Sequence, residues 1–215
     1  MIKTAILSGA LMLVATTAHA QTSTVTDATG DFLSSYTFAQ SPDLDVTSFT
    51  VSYDQGTSVF TLSATMAGII NSATPGLYVI GVNNGTATAT PFAAIGAPDV
   101  KFNQAIVVQK TGAANIGAAS LAGSVTGNAF TVVVPLSALL QSTFAPETYG
   151  FNLWPRIGTG GGNAQISDFS PNNAMLSVQP SAVPEPSAWA LMIGGFGLVG
   201  GTLRKRRRVA TVSLA

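Results

Sequence analysis

Apolar and polar side chains alternate along much of the chain. Phe49, Val51 and Tyr53 are separated by Thr50 and Ser52, and Phe60, Leu62, Ala64 and Met66 follow the same rule after a break at Asp54-Gln55-Gly56. A period of two places the apolar set on one face of an extended strand, and the break carries turn residues, so 49–66 is predicted to be a β-hairpin. Residues 77–82 are continuously apolar, as in an inner strand, and stop at Asn83-Asn84-Gly85, where Asn and Gly tolerate positive φ. A further strand is predicted over 102–108, after which Gly112 and Gly117 break the pattern. Phe130, Val132 and Val134 alternate again, and 135–140 reads as a single helical turn with Pro135 in a tolerated early position. Tyr149, Phe151 and Leu153 mark another strand, and 175–178 the last. Many short strands joined by Gly, Asn and Pro turns predict an all-β fold, a single two-layer β-sandwich of jelly-roll or immunoglobulin-like type.

The two ends depart from this pattern. Lys3 precedes an apolar stretch, and Ala18-His19-Ala20 has the small-x-small form of a cleavage site. Together they predict a secretory signal peptide over 1–20, with the mature chain opening at Gln21. At the other end Val183-Pro184-Glu185-Pro186 leads into an uncharged, Gly-rich apolar run over 187–203, followed by Arg204-Lys205-Arg206-Arg207-Arg208. As a helix the run would cover about 25 Å, a little less than a hydrocarbon core of about 30 Å. The basic cluster should stay on the cytoplasmic side, which puts residues 21–182 across the membrane as the ectodomain. Ser181 to Pro186 reads as a short extended linker, and 209–215 as a tail.

Charge is unevenly divided. The whole chain is formally neutral, but 21–182 carries eight acids (Asp27, Asp31, Asp43, Asp45, Asp54, Asp99, Glu147 and Asp168) against Lys101, Lys110 and Arg156, a net −5. Such a domain gains nothing from phosphate attraction, so a nucleic-acid partner is not expected. There is no cysteine, and the single histidine, His19, belongs to the predicted leader. This removes Ser-His-Asp and Cys-His nucleophiles, and zinc held by His or Cys.

The C-terminal pieces, in their order, resemble the PEP-CTERM sorting signal of Gram-negative bacteria. Val183-Pro-Glu-Pro, then Trp189-Ala-Leu-Met192 and Gly195-Phe196-Gly197, then the basic cluster, is similar to the variant common in alphaproteobacteria. The resemblance covers 183–208. It implies recognition of Pro184, Glu185 and Pro186 by an exosortase, a membrane transpeptidase, after export by the secretion machinery. It also implies an inner-membrane-anchored intermediate that passes to the cell surface or extracellular matrix. The tail 209–215 departs from the family, whose members usually stop soon after the basic cluster. A second resemblance covers most of 27–178. Asp27-x-x-Gly30-Asp31, Asp43-Leu44-Asp45 and Tyr149-Gly-Phe-Asn152-Leu-Trp154-Pro-Arg156 are similar to DOMON-like and family-nine carbohydrate-binding sandwich modules.

Candidate sites within the ectodomain each have a plain alternative. Trp154 and Arg156 share a strand face and could stack on a sugar, or Trp154 could simply pack with Arg156 reaching outward. Asp27, Asp31, Asp43 and Asp45 could gather oxygens around calcium, but turn and edge aspartates explain them equally well, and no metal or cofactor is assigned. Glu147 and Asp168 are available for a carboxylate-pair glycosidase, though nothing in their spacing nominates them. Asn84-Gly85-Thr86 fits a glycosylation sequon that a turn also explains. The expectation is a non-enzymatic, exported, structural or adhesive protein associated with biofilm or exopolysaccharide. A carbohydrate-binding module is the alternative, with a polysaccharide as possible partner, and a carboxylate glycosidase is the third reading.

Overall fold

A computed structural model describes residues 20–158, 160, 162–178 and 192–196. The chain divides into two compact units, 1–179 and 180–215. In the first, ten strands form one antiparallel sheet: β1 (Gln21–Thr26), β2 (Val46–Asp54), β3 (Val59–Met66), β4 (Leu77–Asn83), β5 (Gln104–Gln109), β6 (Ala114–Ile116), β7 (Ala119–Thr126), β8 (Ala129–Pro135), β9 (Gly150–Arg156) and β10 (Leu176–Ser177). Their spatial order is β1-β2-β3-β8-β7-β6-β5-β4-β9-β10.

The all-β expectation holds, and the alternating segments become β2, β3, β8 and β9. The predicted hairpin pairs Phe49 with Ala64, Val51 with Leu62 and Tyr53 with Phe60. Its turn is held by the Asp54 carboxylate, which accepts from the Gly56 N–H at 2.8 Å. The helical turn predicted over 135–140 is a 3₁₀ turn, Leu136–Ala138.

The architecture differs from two separate layers. The sheet is continuous and curls until its end strands β1 and β10 touch. β7 makes it continuous: Ala119–Leu121 pair with β6, and 122–126 pair with β8. Close backbone approach lets β7 lie there. A Cβ on Gly123 would run into the carbonyl of Gly112, itself at φ +91°. The strands β1 and β7 escape the hydrophobic pattern because they bury little, β7 being mostly exposed and β1 presenting Thr22, Thr24 and Thr26 to solvent, and β6 escapes it because it is only three residues long.

The curled sheet encloses the main core. Phe60 on β3 lies 5.0 Å from Phe151 on β9, and Tyr78 on β4 lies 4.7 Å from Phe130 on β8, so rings from both halves interlock. A second cluster sits on the opposite face of β4 and β9. There Leu77, Val79 and Trp154 are covered by Phe92, Val100 and Phe169 from the long connections. Gly81 makes room for it: a Cβ there would meet the Trp154 ring at 2.5 Å.

The predicted leader, except Ala20, lies outside the described residues. So do Val183–Pro186, Arg204–Arg208, the tail and most of the predicted 187–203 helix, of which 192–196 are helical. Among the described residues no helix is long and apolar enough to cross a membrane. β1 begins at Gln21, the residue expected to open the mature chain.

Candidate functional site

Four aspartates converge where the connection after β1, the entry to β2 and the connection after β9 meet. Asp27 follows β1 directly, and its N–H bonds the Thr47 carbonyl at 2.9 Å. The chain then turns through Gly30, at φ +84°, a left-handed value that suits glycine. This turn brings Asp31 back toward β2. Asp45 follows the Pro42–Leu44 3₁₀ turn, and its Oδ2 accepts from the Gly30 N–H at 2.8 Å. Asp168 comes from a segment lying antiparallel to β9 through Leu153–Ser170 and Arg156–Ile166 bridges. Ser167 anchors that segment, its hydroxyl donating to the Leu44 carbonyl at 2.7 Å. Asp168 Oδ2 accepts from the Val46 N–H at 2.9 Å, and Oδ1 from the Phe169 N–H at 2.7 Å.

One carboxylate oxygen each from Asp31, Asp45 and Asp168 lies within 4.8 Å of the others. Asp45 and Asp168 are buried, with 3% and 1% exposure. Yet Asp45 Oδ1, Asp31 Oδ1 and Asp27 Oδ2 have no hydrogen-bond partner although they are shielded from solvent. Burial pushes the Asp168 carboxyl up to about 8, and the nearby charges of Asp27 and Asp31 add to the rise despite the two backbone donors. Burial raises Asp45 as well, with Asp31 contributing, and raises Asp27. These are carboxylates crowded together without enough donors. The arrangement offers hard oxygen ligands and strong negative potential, and suits a cation of the calcium or magnesium type.

Of the four aspartates grouped in the sequence, Asp43 goes elsewhere. It pairs with Lys110 at 2.7 Å, with both side chains almost fully buried. It also accepts from the Ser41 hydroxyl at 2.6 Å and the Asn71 N–H at 3.2 Å. Burial alone would raise its carboxyl, but Lys110 and these donors hold it below the usual range. Asp168 takes its place in the cluster. No local signal could have shown this, because its contact with Val46 spans 122 residues of sequence.

Trp154 and Arg156 do share a face of β9, as their spacing implies. Trp154 is 2% exposed and flanked by Phe92 at 5.0 Å and Phe102 at 4.9 Å, so its ring faces the second core rather than solvent. Arg156 turns back to Gln165 Oε1 at 3.2 Å and the Gly160 carbonyl at 3.3 Å. Glu147 sits in the Pro146–Thr148 turn before β9, whereas Asp168 adjoins Ser167, which bonds Pro155 near the far end of that strand. Most of the length of β9 therefore lies between the two positions. Asn84 of the sequon is 3% exposed, and its amide donates to the Leu140 carbonyl at 3.1 Å, so the side chain serves the turn. The sequence did not single out Phe32, Tyr36 and Phe38. They form a partly exposed aromatic group on the connection from β1 to β2, with successive ring centroids 5.9 Å apart.

A model of the PEP-CTERM protein-sorting motif matches residues 182–208. Comparison with curated proteins and with solved structures yields no match. The matched span contains the Val183–Pro186 motif, the apolar run and Arg204–Arg208, in the order read from the sequence. The chain carries a PEP-CTERM sorting motif and is on that ground an exosortase-targeted, exported protein.

Proposed function

We propose that the protein is a non-enzymatic component of the cell surface or extracellular matrix, with a structural or adhesive role in a biofilm-type polysaccharide. The sorting motif at 182–208 carries this reading, because it implies a membrane-held intermediate that is processed and passed outward. Two features of the β-domain support it. It lacks His and Cys after the predicted leader, and it is acidic. In this scheme Pro184, Glu185 and Pro186 are read by the exosortase, while Arg204–Arg208 hold the C-terminus on the cytoplasmic side until processing. The test is Glu185→Ala in the native host. The variant should accumulate as an unprocessed, membrane-bound form, and mass spectrometry showing normal processing would remove the exosortase reading.

The carbohydrate-binding alternative is favoured by a different observation from the one that first suggested it. Trp154 is enclosed, but Phe32, Tyr36 and Phe38 offer ring surface to solvent. Stacking on such rings is a common way to hold a sugar face. A glycan array should show binding that Tyr36→Ala and Phe38→Ala weaken. Binding to no glycan by the wild type would eliminate this reading.

A further inference from the structure

We propose that Asp31, Asp45 and Asp168, with Asp27 beside them, form a calcium site that clamps the start of the exported domain to its body. The spacing fits the ion. Calcium–oxygen distances are about 2.3–2.6 Å, so two ligands of one ion lie at most about 5 Å apart. One oxygen from each of the three aspartates meets that limit at 4.8 Å.

The orphaned Oδ1 of Asp45 sets this cluster apart from acids that are merely crowded. This residue is 97% buried by its 3% exposure, and only one of its oxygens has a donor. That donor is the Gly30 N–H, next to Asp31, so the carboxylate is directed into the cluster. A shielded carboxylate oxygen without a partner is costly, and a bound cation removes the cost. Asp31 Oδ1 and Asp27 Oδ2 are in the same position.

The donor set also selects the ion. Every side-chain ligand is a carboxylate oxygen, which suits hard cations, and there is no His or Cys among the described residues to favour zinc or copper. The ligands come from three separate segments with no octahedral arrangement, a setting calcium accepts more readily than magnesium, which demands near-ideal octahedral geometry. The remaining coordination positions would be filled by water, with Asp27 adding negative charge from beside the site.

The position gives the ion a role. Asp27 and Asp31 follow β1, an edge strand with a mostly polar pattern. Asp45 leads into β2, and Asp168 belongs to the segment that caps Trp154 through Phe169. One ion would therefore add a further tie between three chain segments already joined by the Leu33 N–H to the Ser167 carbonyl and by the Ser167 hydroxyl to the Leu44 carbonyl. Extracellular modules of this kind bind calcium with Kd of about 0.1–1 mM. The clamp would close after export, where calcium is plentiful.

The full chain, purified in mild detergent and stripped with chelator, is titrated with CaCl₂ by calorimetry and by thermal unfolding. At calcium about tenfold above Kd, linkage predicts a midpoint rise of roughly 3–6 °C for a domain of this size. Asp45→Asn should abolish the heat and the shift. Asp31→Asn, a change at a half-exposed loop position that should spare folding, should weaken binding at least tenfold and decides the matter if Asp45→Asn does not fold. MgCl₂ should give a smaller shift. The proposal is overturned by the absence of heat and shift in the wild type at about 10 mM calcium, well above the expected Kd. It is equally overturned by an undiminished response in Asp31→Asn, or by magnesium matching calcium.

Discussion

Replacing Lys110 by Met should destabilise the β-domain by about 3–5 kcal/mol, the usual result of removing one member of a buried ion pair. The side chains of Lys110 and Asp43 are only 3% and 4% exposed, and the ammonium makes three short contacts: Asp43 Oδ2 at 2.7 Å, Thr74 Oγ1 at 2.9 Å and the Pro75 carbonyl at 2.9 Å. Met keeps most of the volume, so little of the loss comes from a cavity. What remains is a buried carboxylate supported by the Ser41 hydroxyl and the Asn71 N–H, and a carbonyl without its donor. Against a typical total stability of about 5–15 kcal/mol, this is a large fraction. Urea unfolding followed by intrinsic fluorescence should show the midpoint falling by roughly 1.5–2.5 M for an m-value near 2 kcal/mol/M. Adding Asp43→Asn to Lys110→Met should recover much of the loss, because the uncompensated charge is gone. A loss below about 1 kcal/mol in the single variant would place the pair among weak surface bridges and refute the reasoning.

Other changes probe the remaining packing. Trp154→Ala should cost about 3–5 kcal/mol by emptying the second cluster, seen as a lower thermal midpoint. Gly81→Ala should cost about 1–3 kcal/mol because its methyl meets the Trp154 ring, and the loss should shrink in a Trp154→Phe background, as a double-mutant cycle would show. Gly123→Ala should open the β6–β7–β8 junction, detected as faster amide hydrogen exchange in β7, since its Cβ runs into the Gly112 carbonyl. Tyr78→Phe removes the hydroxyl that donates to the Asp43 carbonyl at 2.8 Å and should cost about 1 kcal/mol by chemical denaturation.

Local chemistry made some of this protein legible from sequence alone. Alternation named β2, β3 and β8 because each buries one face, and a period of two is the direct imprint of that burial, whereas β9 is buried on both faces. The sorting signal was also readable, since an apolar run beside a basic cluster acts through composition rather than through a folded surface. Tertiary structure decided the rest. β7 buries too little and β6 is too short to leave a pattern, yet they turn two expected layers into one curling sheet. The aspartates show the same division. Residue type and nearness in sequence grouped Asp43 with Asp27, Asp31 and Asp45, but a carboxylate's partner depends on what the fold brings within a few ångströms. Lys110 claimed Asp43 across the sheet, and Asp168 arrived from more than a hundred residues away to complete the cluster. Trp154 became a core residue because two long connections happen to cover its face of β9, and covering is a property of the whole chain rather than of any strand.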